Sequence, residues 1–486
     1  MRSCPSPAFT RLFRGARLAP FAFASLLACG DAAKPAAVPV SPAASATDAG
    51  TSELPVDAGA PIVSLPPGVP DSPAGHQLAW VLASLAKPPS EGEVAPHLTA
   101  SFIAQAPAAK MVTLFAQIGT LLSPVVLDRV EPGAVPEALV AVAHSQKATG
   151  SDPKLKISLL VEPAEPHKIS GLIFGPAIEP KTSWDDVKTE LGAVAPEVNF
   201  LAAEIAGGKC VPLAGLEPKK PLAIGSAFKL YILEALAKQV AAGKHKWDDT
   251  IAIEDAKKSL PSGEMRNEPA GKTFSVRAFA EKMISVSDNT ATDHLLAYVG
   301  RTAVEDTVRS AGTAAPARNV PFLSTRDTFA LKLFGSPEEL QAYAAADVAR
   351  RRKLLDGFEK RDLATAPTGD GWNKPRMIDA IEWFASPEDL CKLMVALKAR
   401  ADAPATAPIG TILSTNPGIP DAAHLYKYVG FKGGSEPGVL NLTWLLQRDS
   451  DAKWVFLTVG FNDPASVIDE SKAITATIAA RDFLAK

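Results

Sequence analysis

Apolar residues at helical spacing open the folded part of the chain: Leu78, Val81, Leu82 and Leu85 fall on one face, and Pro88-Pro89 stops the run. Further on the period shortens to two. Leu155, Ile157 and Leu159 share one face, a Pro163–His167 turn follows, and Ile169, Gly171 and Ile173 alternate again, which predicts a β-hairpin. Ser183-Trp184-Asp185-Asp186 has the form of a capping box opening a helix, and strand-like sequence runs from Val198 to Ile205. After Gly225 the residues Leu230, Ile232, Leu233, Leu236 and Ala237 predict a helix buried on most of its surface. Val439–Leu446 and Trp454–Phe461 read as strands joined by the polar Gln447–Lys453 turn, and a helix closes the chain near Phe483.

These elements divide into a small α+β module, His76–Ile178, and a larger unit, Ser183–Lys486. The module shows no clear chemistry, and its His97, His144 and His167 are isolated from one another. Ahead of it, Arg2, Arg11, Arg14 and Arg17 precede an apolar run, Leu18–Ala28, too short to span a bilayer as a mature helix. Residues 1–28 are therefore expected to be an export signal. The run ends Leu26-Leu27-Ala28-Cys29, which looks like a bacterial lipobox, so Cys29 is the expected lipidation site; an ordinary signal peptide is the alternative. From Cys29 to Gly75 the sequence has no aromatic residue and is rich in Ala, Pro, Ser, Asp and Gly, the composition of a disordered tether between a membrane and a folded domain.

Composition narrows the function by exclusion. With 486 residues, 47% of them hydrophobic, the chain can bury two cores. A formal net charge of -3 without a long basic run argues against nucleic acid as a partner and leaves small neutral or anionic ligands open. Beyond Cys4 and Cys29, only Cys210 and Cys391 fall in folded sequence, with no His pairing at metal-ligand spacing. Both read as buried small apolar residues, a single disulfide between them being the alternative in an oxidising compartment. Neither a metal nor a cofactor is called for, and nothing in the sequence sets an oligomeric state.

The chemistry sits in three short segments. Ser-x-x-Lys occurs at Ser84, Ser151, Ser226 and Ser450, but only Ser226 opens a long buried helix, where Lys229 shares its face. Burial and nearby positive charge can lower a lysine pKa until the neutral amine accepts a serine proton. Ser287-Asp288-Asn289 follows once, and Lys432-Gly433-Gly434-Ser435 once. In this order the three motifs resemble the signatures of class A β-lactamases and penicillin-binding proteins.

The resemblance implies an antiparallel sheet flanked by helices, preceded here by the small α+β domain. It also implies roles: Ser226 as acylated nucleophile, Lys229 as its proton acceptor, and Ser287 as the hydroxyl relaying the proton to the leaving group. Asn289 would position Lys229 and substrate, Lys432 would attract a substrate carboxylate, and the N–H groups of Ser226 and Ser435 would form the oxyanion hole. Asp288 reads as holding its loop.

The chain also departs from that family. No Glu-x-x-Leu-Asn segment, whose glutamate activates the deacylating water, is found. Between Gly300 and Trp383 stands a long charged insert whose Arg350-Arg351-Arg352-Lys353 reads as a solvated helix face, and Glu305, Asp327, Glu359 and Glu382 are its candidate carboxylates, with no reason to choose among them. Glycine replaces the usual hydroxyl residue at Gly433. Together with Asn319–Leu323 and Phe431–Gly438, these features resemble a two-domain subgroup known from the clavulanic acid cluster. That subgroup joins a steroid-isomerase-like or cystatin-like domain to a β-lactamase-type domain and acts as an esterase on cephalosporin side chains. Three functions follow as expectations: a serine hydrolase taking β-lactams or related esters, a D-Ala-D-Ala peptidase, or a non-catalytic binding lipoprotein.

Overall fold

The computed structural model describes residues 65–131, 134–147, 154–178, 180–365, 372–418 and 425–486. The export signal, Cys29 and most of the expected tether lie outside the described residues. Chain contacts separate two units, Met1–Ala177 and Ile178–Lys486.

In the first unit, helices α1 (Pro73–Ala86), α2 (Glu91–Val94), α3 (Ala100–Gln105) and α4 (Ala108–Leu122) precede strands β1 (Val125–Val130), β2 (Ala138–Ser145), β3 (Lys154–Val161) and β4 (Ile169–Ala177). α1 opens ahead of His76 because Ser72 Oγ accepts from Gly75 N and Pro73 fits the first helical turn. The strands form one antiparallel sheet in chain order. Leu78, Val81 and Leu85 of α1 meet Phe115 and Ile118 of α4 and Leu155, Ile157 and Leu159 of β3 in one core. β4 departs from simple alternation. A bulge after its pairing of Ile169 with Val161 flips the phase, so Leu172 and Phe174 pack inward and Ile173 is 68% exposed.

The second unit begins with α5 (Trp184–Gly192), capped by Ser183 Oγ, which accepts from Asp186 N. Then come β5 (Glu197–Ala206), β6 (Lys209–Leu216), β7 (Leu222–Ala223), α6 (Lys229–Ala241), β8 (Thr250–Ala252), β9 (Thr273–Ser275), α7 (Val276–Ser285), α8 (Asn289–Val299) and α9 (Arg301–Ser310). The insert supplies α10 (Thr325–Phe334), α11 (Pro337–Ala345) and α12 (Val348–Glu359). The rest of the chain is β10 (Phe384–Ala385), α13 (Pro387–Ala401), α14 (Pro408–Ser414), β11 (Tyr426–Glu436), β12 (Val439–Arg448), β13 (Trp454–Asn462) and α15 (Glu470–Leu484).

Five strands make an antiparallel sheet in the order β11-β12-β13-β5-β6. Its two faces are both covered, which explains why β5 and β13 carry apolar residues on both sides. Phe200 and Ala202 of β5 pack with α5 and α15, whereas Leu201 and Ala203 point into the larger core around α6. The unit is thus an antiparallel sheet flanked by helices, the architecture that the sequence resemblance implies.

One reading of the sequence changes and one gains detail. Cys210 and Cys391 are bonded to each other, because β6 pairs onto β5 at the sheet edge and α13 lies against it. Cys391 is buried and Cys210 half-buried. The basic run on α12 is mostly the expected solvated face, with Arg350, Arg352 and Lys353 exposed, but it is also anchored: Arg352 reaches both carboxylate oxygens of buried Glu305 at 2.9 Å, and half-buried Arg351 donates to the carbonyls of Tyr343 and Ala344.

Candidate active site

Gly225–Phe228 is a tight 3-10 turn rather than the first turn of the expected α-helix, and α6 continues from it at Lys229. Gly225 has φ +47°, a conformation natural to glycine, and a Cβ there would stand 2.9 Å from Ser435 N. The turn is braced from below by Phe228, whose ring stacks on Trp383 at 3.7 Å, and by Ile224 N donating to Trp383 O.

Lys229 is fully buried, and its Nζ lies 3.2 Å from Ser226 Oγ, 2.9 Å from Ser287 Oγ, 2.7 Å from Ser287 O and 2.6 Å from Asn289 Oδ1. Enclosing an ammonium so completely costs several kcal/mol. Burial first, and then the charge of Lys432, hold the Lys229 pKa well below the usual lysine range, with Asp288 and Asp293 opposing. A neutral amine has two N–H groups and one lone pair. Ser287 O and Asn289 Oδ1 can only accept, so they take the two N–H groups and leave the lone pair to the hydroxyls.

Ser287 joins α7 to α8 with φ +56°, a left-handed conformation that costs a serine roughly 1–3 kcal/mol and is sustained only by its surroundings. Those surroundings are specific. Ser262 Oγ donates to Ser287 O, and Asp288 caps α8 by accepting from Ala291 N at 2.8 Å while its other oxygen accepts from Met265 N, in a separate segment, at 2.9 Å. Asn289 Nδ2 is turned toward Leu260 O, which fixes its oxygen on Lys229. Ser262 and Leu260 belong to no motif and had no sequence signal.

Lys432, 3% exposed, comes from β11 and donates to Ser287 Oγ at 3.1 Å, so one hydroxyl stands between two amines. Burial pulls the Lys432 pKa down to about 7. β11 also passes tightly against the nucleophile turn. A Cβ on Gly434 would lie 2.4 Å from Ser226 N and 2.7 Å from Ala227 N, and the next residue on the strand is Ser435. The structure therefore brings Ser226, Lys229, Ser287, Asn289, Lys432 and the Ser435 backbone into one place.

The insert's carboxylates have other partners. Glu305 accepts from Phe322 N and pairs with Arg352, and Asp327 caps α10 and pairs with Arg301. Glu382 bonds Lys332 and Trp383 N. Nothing is described of the Glu359 side chain. Among the described residues no group of His, Cys, Asp and Glu could hold a metal ion.

Residues 184–403 match the β-lactamase enzyme family. The matched stretch holds Ser226, Lys229, Ser287 and Asn289 and stops before Lys432, which the fold delivers from β11. Residues 69–161 match the family described as ORF 12 gene product N-terminal. No curated protein matches the chain. Among solved structures, a β-lactamase from Sphaerobacter thermophilus is 20% identical over 62% of this chain and 96% of its own, with a TM-score of 0.41. A β-lactamase from Chitinophaga pinensis is 15% identical over 62% of this chain and 97% of its own, with a TM-score of 0.42. The structure titled PBP-A is 14% identical over 63% of this chain and 100% of its own, with a TM-score of 0.39.

Proposed function

We propose that the second unit is a serine acyl hydrolase that takes the acyl group of a β-lactam, or of a related ester or amide, onto Ser226 Oγ. The observation that carries this reading is the bonding of Lys229: both amine N–H groups have obligate acceptors, so its lone pair is left for the two hydroxyls beside it, Ser226 Oγ and Ser287 Oγ. Ser226 Oγ attacks the carbonyl carbon as its proton passes to Lys229, and the carbonyl oxygen, now anionic, accepts from Ser226 N and Ser435 N. The proton returns through Ser287 Oγ to the leaving nitrogen or oxygen. Lys432 draws in a substrate carboxylate, and Asn289 keeps Lys229 aimed.

Hydrolysis of the acyl-enzyme is the slower half in this reading, since Glu305 and Asp327 are committed to structural partners. The same observation supports a second reading, a D-Ala-D-Ala peptidase, whose acyl-enzyme with a β-lactam is long-lived. Export with a lipid anchor at Cys29 belongs to the proposal, and the Cys210–Cys391 bond supports it because disulfides persist in oxidising compartments.

Intact-mass spectrometry after mixing with penicillins and cephalosporins tests the reading. The wild type is expected to gain one acyl group and Ser226→Ala none; an undiminished adduct in that variant overturns the assignment. Turnover of a chromogenic cephalosporin against cleavage of a D-Ala-D-Ala peptide separates the two substrate classes.

A further inference from the structure

One buried charged cluster takes no part in the chemistry above. Lys332 of α10 is fully buried, and its Nζ lies 2.9 Å from Glu382 Oε1 and 2.5 Å from Glu436 Oε1. Trp372 covers the ammonium at 5.2 Å from its ring centre. Side chains alternate along β11, whose pairing with β12 is regular from Tyr428 to Glu436, so Lys432, Gly434 and Glu436 share one face. That is the face turned to the nucleophile turn: Lys432 reaches Ser287 Oγ, and Gly434 abuts Ser226 N. Glu436 follows Ser435 directly. Glu382 precedes Trp383, whose ring and carbonyl hold Phe228 and Ile224. The cluster thus fastens together the strand that carries one oxyanion donor and the segment that supports the turn carrying the other.

We propose that the Glu382–Lys332–Glu436 cluster is a proton-linked positioning unit for the oxyanion hole. This inference rests on the proposed acyl transfer. Two carboxyl groups and one ammonium are electrically balanced when the carboxyl pair keeps one proton, and the upward push on Glu436 favours it as the holder. Burial, and next the charge of Glu382, raise its pKa well above the carboxylate range, with Lys332 opposing. Burial alone would depress Lys332, but the two carboxyls hold it above its usual value. Among the described residues, the charged groups facing Glu436 are Lys332 from α10 and Glu382 from the segment before β10. Arg376 spends its guanidinium on the carbonyls of Lys332 and Gly335, and Lys432 points to Ser287. When Glu436 loses its proton, two buried carboxylates face one ammonium. Their repulsion acts on the residue next to Ser435, so the donor is displaced as pH rises.

The test compares E436Q, which keeps a neutral hydrogen-bonding side chain, with E436A, using a neutral ester so that Lys432 need not meet a substrate carboxylate. E436A is expected to lower the acylation rate about tenfold or more with substrate affinity changed less than about threefold, as a displaced donor would. E436Q is expected to restore most of that rate and to lack the decline that the wild type shows at alkaline pH. A wild-type rate in E436A, or one pH profile shared by E436Q and the wild type, overturns the proposal. Hydrogen exchange over Phe431–Gly438 reads the cluster without chemistry: E436A should speed it and E436Q should not. Faster exchange in E436A together with an unacylated wild type would sink the proposed function and leave the positioning unit standing; unchanged exchange sinks the unit.

Discussion

Lys229 and Lys432 compete for one hydroxyl, and their depressed pKa values make opposite demands on pH. Lys229 accepts a proton only when neutral, so acylation grows as pH rises through its lowered pKa. Lys432 attracts an anion only when charged, so that attraction fades as pH rises through about 7. For a substrate bearing a free carboxylate, kcat/KM is expected to fall above neutral pH, and its methyl ester should lack that part of the fall. Identical profiles for the acid and the ester would show that Lys432 does not meet the carboxylate. At this scale the sequence was most legible where partners are close in the chain or share a motif, as with Ser226 and Lys229. Glu382 and Glu436 lie 50 and 104 positions beyond Lys332, and no spacing rule links residues that meet only after α10 and β11 are folded. Ser262 went unnoticed for a similar reason, since a serine in an irregular segment looks like any other loop residue.

Between β11 and the nucleophile turn there is room for a glycine and nothing larger. A methyl group at Gly434 would meet Ile224 O at 2.1 Å as well as Ser226 N, and these backbone atoms cannot rotate away. Gly434→Ala should therefore push the strand back and lower acylation about 100-fold, since displacements near 1 Å cost that much. Circular dichroism should show the fold retained; acylation at the wild-type rate would mean that the strand relaxes elsewhere. Apolar patterning predicted α1, the β3–β4 hairpin and three strands of the large sheet, β5, β12 and β13, because each buries most of its apolar positions, but it passed over β6 and β11. It failed at β4, where one extra residue reverses the inward face, and at the nucleophile helix, whose first turn tightens to bring Ser226 under β11. The charged run on α12 was legible as an exposed face but not in its partners: counting charge along a helix cannot reveal that Arg352 meets a buried glutamate.

Across the larger unit, the Cys210–Cys391 bond joins the edge strand β6 to α13, and α13 packs on α6, the helix that carries Lys229. A cross-link closing so long a loop removes many conformations from the unfolded chain. Cys210→Ser is expected to lower the unfolding free energy by about 2–4 kcal/mol, read from the urea midpoint of oxidised protein. Equal midpoints would show that the bond contributes no stability. The β-lactamase-like fold was legible from three motifs and the order of elements, whereas the bond was legible only as an alternative, because its partners are 181 positions apart and either residue alone is a common core filler.

That staple also separates two materials that share one sequence. Protein harvested from a reducing cytosol would leave β6 untied from α13, while secreted protein would not, so melting records and storage lifetimes gathered on the first say little about the second.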